Sequence, residues 1–154
     1  MTEQIGETLI YNGCHWEIKY SEPLEAYLEK HNLVFDAPTS ACWRGYVGKW
    51  LLENDQLYLI GLNANLRTSE ENIGMDYLFP GQRKVFAEWF SGELCLGYGE
   101  YLFRRYVYEK EIYLKFVNGK FVSRRGVDNT HLKEEIIPDL ELERLLTPQY
   151  YNWD

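Results

Sequence analysis

Histidine and cysteine are scarce in this chain, three of each, and methionine is scarcer still at two. Cys14, Cys42 and Cys95 cannot all pair with one another, so no disulfide framework is expected and a reducing compartment fits best. No Cys-x-x-Cys, His-x-His or His-Glu-x-x-His spacing occurs, which removes the usual grounds for a zinc site. Gly-x-Ser-x-Gly and the lysine-bearing phosphate loop are missing as well. Long apolar runs are lacking too. The longest, Leu57-Tyr58-Leu59-Ile60-Gly61-Leu62, falls far short of the ~20 residues of a membrane-spanning helix. Residues Met1 to Glu7 carry acids where a secretory signal needs a basic stretch followed by an apolar one. The expectation is a cytoplasmic protein with no metal, no cofactor and no membrane partner.

What the chain does have is rings. Seven Phe, five Trp and thirteen Tyr stand among 154 residues, and tyrosine lies well above the roughly 3–4% of ordinary composition. Aromatic residues favour strands, and an excess of Tyr over Phe implies many rings that need water or a polar partner at one end. Hydrophobic residues make up 45% and charged residues 26%, so the chain can bury a core and reads as one domain over residues 1–154. The net charge of −8 is unevenly spread: residues 101–125 carry seven bases (Arg104, Arg105, Lys110, Lys115, Lys120, Arg124, Arg125) against only Glu109 and Glu111. An acidic total disfavours nucleic acid, because phosphate affinity accumulates from Lys and Arg. The basic block is either a local anion site or the solvated face of strands, guarding their edges against aggregation.

Four tight hairpins are predicted. Asn12-Gly13 tolerates the positive φ angles of a type I′ turn and sets Tyr11 opposite Cys14 and Leu9 opposite Trp16. These residues and Ile18 then form an apolar face. Asn54-Asp55 pairs Leu52 with Leu57, Trp50 with Leu59 and Gly48 with Gly61. Ser91-Gly92 sets Trp89 against Leu94 and Ala87 against Leu96. Asn118-Gly119 sets Phe116 against Phe121 and Lys115 against Val122. The segment Tyr101–Tyr108 supplies a further strand. Ser21-Glu22-Pro23 opens a helix through Leu24, Tyr27, Leu28 and His31. A short helix is expected over Asp139–Leu146, after Pro138, and Thr68–Phe79 reads as a loop with one helical turn.

The fold class is mainly β, at the margin of α+β. About nine strands form an antiparallel hairpin meander closing into a curved barrel or sandwich, with one N-terminal and one short C-terminal helix. The barrel is favoured because glycines recur inside strands (Gly45, Gly48, Gly61, Gly97, Gly99), where bends and bulges would sit.

No residue set amounts to a catalytic constellation. Cys14 and His15 are adjacent, but strand neighbours point to opposite faces. Cys14 is assigned to the buried face. His31 reads as a helix C-cap and His131 as a surface residue. Gly97-Tyr98-Gly99-Glu100 lacks the third glycine and the following helix of a phosphate loop and reads as a turn. Glu88 is one carboxylate among 24 acids. Binding surfaces are better supported, since Arg with Tyr or Trp is the composition of binding hot spots. The candidates are Trp43, Arg44 and Tyr46 in one cluster and Arg104, Tyr106 and Tyr108 in the other. In the alternative, these rings fill the core and the arginines stack over them.

Three stretches carry a resemblance: Ser40-Ala41-Cys42-Trp43-Arg44-Gly45-Tyr46 on through Trp50 and Leu57-Tyr58-Leu59; Phe86-Ala87-Glu88-Trp89-Phe90-Ser91-Gly92-Glu93-Leu94; and Tyr108-Glu109-Lys110-Glu111-Ile112-Tyr113-Leu114. Together they resemble a family of small, uncharacterised bacterial proteins. The resemblance implies a bacterial source and no activity. The expected function is therefore non-catalytic binding of a protein partner, of a partner-neutralising or immunity type. The alternative is a small polar ligand held in a β-barrel, with or without weak hydrolysis, its polar group oriented by Arg44, Arg104 or Glu88.

Overall fold

The computed structural model describes residues 6–35, 45–65, 72–102 and 107–132. Nine strands run in chain order: β1 (Glu7–Tyr11), β2 (Cys14–Lys19), β3 (Tyr46–Glu53), β4 (Gln56–Asn65), β5 (Asn72–Ile73), β6 (Val85–Phe86), β7 (Gly92–Leu102), β8 (Val107–Val117) and β9 (Lys120–Asp128). Two short helices, α1 (Glu25–Lys30) and α2 (Met75–Leu78), and a 3₁₀ turn at Thr130–Leu132 complete the described residues. The sheet order is β3-β1-β2-β7-β8-β9-β4, and β4 pairs back with β3, so the sheet closes into a ring. The chain is mainly β with barrel-like closure, as its hairpin pattern predicts. The helix expected over Asp139–Leu146 lies outside the described residues.

Three of the four hairpins form where turn chemistry places them. Asn12, Gly13, Asn54, Asp55, Asn118 and Gly119 all take positive φ, between 49° and 78°, the conformation that a two-residue primed turn demands. Tyr11 faces Cys14 and Leu9 faces Trp16; Leu52 faces Leu57 and Trp50 faces Leu59; Phe116 faces Phe121. Farther from the turns, bulges move the register by one. Gly61 lies opposite Lys49 rather than Gly48, and Lys115 lies opposite Ser123 rather than Val122. The Gly97–Glu100 segment is not a turn but an irregular part of β7, where the ladder slips between Tyr98 and Tyr101.

The hairpin expected at Ser91-Gly92 is absent. Val85 and Phe86 pair instead with Leu59 and Tyr58. The Ala87 amide donates to the Leu57 carbonyl at 2.8 Å, and the Gly119 amide donates to the Phe90 carbonyl at 2.7 Å. Strand β4 and the β8–β9 turn thus take the backbone groups that a local hairpin would have used. The described ends of Tyr101–Tyr108 belong to two different strands: β7 ends at Leu102, β8 begins at Val107, and Tyr101 pairs with Tyr108; residues 103–106 lie outside the described residues. The sheet is also not wholly antiparallel, because β1 and β3 run parallel, with Leu9 beside Trp50. Such a pair needs a crossover rather than a hairpin, and β2 and α1 lie between the two strands in the chain.

The interior is filled by Leu9, Trp50, Leu57, Leu59, Leu94, Leu96, Leu114 and Phe116, with Leu24 and Leu28 of α1 in the same cluster. Cys14 is exposed rather than buried. The cause is the short seam between β2 and β7, which joins only Ile18 to Leu96 and Lys19 to Cys95. The tip of the first hairpin therefore projects past the sheet.

One acid belongs to the interior. Alternation places Glu7 on the side of Leu9, and only 2% of its surface is exposed. Its Oε1 accepts the Gly48 amide at 2.8 Å and the Trp50 indole N–H at 3.3 Å. These bonds tie β1 to β3 and offset the desolvation of the carboxylate. A Cβ on Gly48 would overlap Glu7 Oε1 and sit 2.8 Å from Trp50 Nε1. Both neighbours are buried and have nowhere to go. Gly48→Ala is expected to lower stability by about 2–3 kcal/mol. A Cβ on Gly126 meets nothing within 4 Å, and Gly126→Ala should stay within about 0.5 kcal/mol of the parent. Urea denaturation of the two variants side by side checks both values, and equal stabilities would contradict the close approach at Gly48.

Candidate functional site

Of the six predicted binding residues, Trp43, Arg44, Arg104 and Tyr106 lie outside the described residues. Tyr46 is interior, with 1% of its surface exposed. Its hydroxyl donates to Glu25 Oε2 at 2.9 Å, and burial first, then the carboxylates of Glu7 and Glu25, hold that phenol well above its ordinary range. It follows the inward alternation of Gly48 and Trp50 and offers no contact surface. Tyr108 is half-buried, its ring 5.0 Å from that of Tyr101 and beneath the Lys19 ammonium at 5.1 Å. The structure does not bring Tyr46 and Tyr108 into one site.

On the outer face of β7 and β8, opposite Leu94 and Leu96, lies a small polar core. The Cys95 thiol donates to Glu111 Oε2 at 3.6 Å, and the Asn129 amide donates to Glu111 Oε1 at 3.0 Å. Tyr113, 3.5 Å from Glu111, carries the Arg125 guanidinium over its ring at 4.1 Å. Burial pushes the Cys95 thiol up to about 12, and the nearby Glu111 carboxylate adds to the rise. A thiol so strongly protonated is no nucleophile at neutral pH. Burial and Glu111 also hold the Tyr20 phenol above its usual range.

Among the described residues a concave site lies elsewhere. A cleft of about 620 Å³ opens between α1 and the turn that follows β6. Phe79 and Trp89 stack at 5.9 Å with planes 9° apart, and Tyr27 packs 4.9 Å from each. The Trp89 indole donates to the Pro23 carbonyl at 2.8 Å, pinning the ring to the start of α1. Lys30, His31, Gln82, Glu88 and Asn118 supply the polar lining. His31 sits at the C-cap of α1, as expected, where its amide donates to the Tyr27 carbonyl at 3.2 Å. Its ring lies 4.3 Å from that of Tyr27. Glu88 is exposed on the turn and does not face Cys95 across a hairpin.

Sequence reasoning singled out His31 and Glu88 one at a time and missed the rings between them. Tyr27, Phe79 and Trp89 come from a helix, a loop and a turn, and no local pattern joins them. Among the described residues no group of three or more His, Cys, Asp or Glu is placed to hold a metal ion, and no helix is long and apolar enough to cross a membrane. Compared with family models, with curated proteins and with solved structures, the chain finds no match.

The polar core makes two testable statements. Brief alkylation of the native protein followed by peptide mapping should find an adduct at Cys14 and none at Cys95, which should react only after unfolding. The folded protein also retains a Cys95 proton that the unfolded chain releases above 9.0. Its contribution to stability is complete below that pH and is lost as pH rises from 9.0 toward about 12. Urea midpoints that stay flat across this window would contradict the burial of the thiol.

Proposed function

We propose that this chain is a non-catalytic binding protein, and that the cleft of Tyr27, Phe79 and Trp89 seats a small ligand with a flat apolar body and a polar end. The observation that carries the reading is the cleft itself. Its volume of about 620 Å³ falls in the range of small-molecule sites, and stacked rings with a few polar groups are the usual lining of such sites. The packed barrel interior supports a site outside the barrel rather than within it. Lys30 and His31 on one wall favour an acidic substituent, while Gln82 and Asn118 can read donors and acceptors on a ring edge. Binding without chemistry is supported by Cys95, the buried thiol, being held protonated. The acidic net charge supports a partner other than nucleic acid, and the scarcity of cysteine supports a cytoplasmic setting. The resemblance over residues ~40 to ~120 supports a bacterial source.

A screen of aromatic and heteroaromatic carboxylates by amide-resolved NMR tests the reading. Shift changes should gather at Tyr27, His31, Glu88, Trp89 and Asn118. Lys30→Ala, at an exposed position, should weaken a carboxylate hit about three- to tenfold while leaving the melting temperature unchanged. Hits that map elsewhere, or a screen without hits at millimolar concentration, would retire the cleft as a site.

A further inference from the structure

None of the described bases of the block 101–125 lines the cleft, and they lie on β8 and β9. Strand β9 pairs with β8 along its whole length, from Val117↔Lys120 to Lys110↔Asp128. Its other side is different. There the pairing with β4 is limited to Gln56↔Lys120, and the Phe121 amide makes the bond beyond it, to the Asp55 carbonyl at 2.8 Å. Among the described residues no strand pairs with this side from Val122 onward. Val122, Ser123, Arg124, Arg125 and Gly126 are consecutively exposed. A strand edge in this state presents backbone donors and acceptors ready to pair with another chain.

We infer that the open edge of β9, Ser123 to Asp128, is a docking edge for an extended acidic segment of a protein partner. The charges on the page select that occupant. Arg124 and Arg125 lie on the edge strand itself, and Lys115 and Lys110 lie beside it, opposite Ser123 and Asp128. Arg125 is bonded to Glu93 at 3.0 Å and Arg124 to the Tyr11 hydroxyl at 2.9 Å; both are exposed contacts that a stronger acceptor can replace. A second copy of this chain added antiparallel in the register centred on Arg124 and Arg125 would set like charges against each other, which is destabilising. An acidic strand would instead set carboxylates against them. The bulge at Val122 bends the edge only at its start and leaves Ser123 to Asp128 in regular register with Lys115 to Lys110.

The test is fluorescence anisotropy with a labelled peptide of roughly nine residues, alternating Glu with Val or Thr to favour an extended form. The full chain should bind it, and binding should weaken as salt rises. Two changes should each weaken binding about tenfold or more: N-methylation of alternate peptide amides, and the double variant Arg124→Glu with Arg125→Glu. That variant should instead gain affinity for a peptide alternating Lys with Val or Thr, a reversal that misfolding cannot produce. Lys30→Ala should leave peptide binding unchanged, which separates this edge from the cleft. Binding indifferent to N-methylation would overturn strand pairing in favour of charge alone. An oligonucleotide of similar length that binds more tightly, or a stable dimer in sedimentation, would overturn the choice of occupant. Loss of binding in Lys30→Ala would move the peptide into the cleft and overturn the edge.

Discussion

A carboxylate in the core holds the ring together. Glu7 is buried beside Gly48 and Trp50, and a buried carboxyl is tolerable only while donors meet it. The Gly48 amide and the Trp50 indole do so. They belong to β3, so the strand that satisfies the acid is the one that runs parallel to β1. The pairs β1–β2, β3–β4, β7–β8 and β8–β9 share five to nine residue pairs each, but the joints that close the ring between them are thin. Strands β2 and β7 share two residue pairs and β9 and β4 share one, against three pairs plus the Glu7 bonds between β1 and β3. The indole that answers Glu7 is also the ring at the centre of the packed interior, 6.5 Å from Trp89. Core, closure and cleft therefore meet at Trp50.

That packing decides where binding can occur. With Trp50, Phe116 and the leucines filling the interior, the cleft among the described residues lies on the outside, where Tyr27 of α1 packs against Phe79 and Trp89. The ring surplus divides by location. Some rings build the core, some line the cleft, and Tyr113 serves as a platform for Arg125. The tyrosine hydroxyls find polar partners at both kinds of site: Tyr46 at Glu25 inside, Tyr113 at Glu111 outside.

Features governed by short-range chemistry were legible in the sequence. Asn-Gly and Asn-Asp turns carry their own conformational preference, so three hairpins and their near register followed from a few residues each. The helix read through Leu24, Tyr27 and Leu28 forms as α1, but it begins at Glu25 with Leu24 as N-cap and no side-chain cap. The Ser21 hydroxyl donates to the Glu93 carbonyl instead. Features governed by competition were not. Ser91-Gly92 is as plausible a turn as the others, but Ala87 and Phe90 find partners on β4 and beside Gly119, residues distant in the chain. The bulges behave similarly, because packing against the far strand decides which residue is left over. Of the cleft, only its isolated polar members drew notice. Tyr27 reads as helical, Phe79 as loop and Trp89 as part of a hairpin strand, and nothing local to any of the three points to the other two. Glu7 was visible through alternation with Leu9, yet an acid in an inward position reads as an exception until its donors are seen.

The Glu7–Gly48 contact spans 41 residues of sequence, whereas the β7–β8–β9 meander joins neighbours. Closing a long loop costs more entropy than closing a short one. The meander is therefore expected to assemble early and the parallel joint late, so that the ring becomes a ring only at the end of folding. Exchange of the Gly48 amide with solvent would report that joint opening ahead of the meander. A chain arranged this way keeps its acid in water until the partner strand arrives, and the last joint to form is the one that takes the Glu7 carboxyl into the interior.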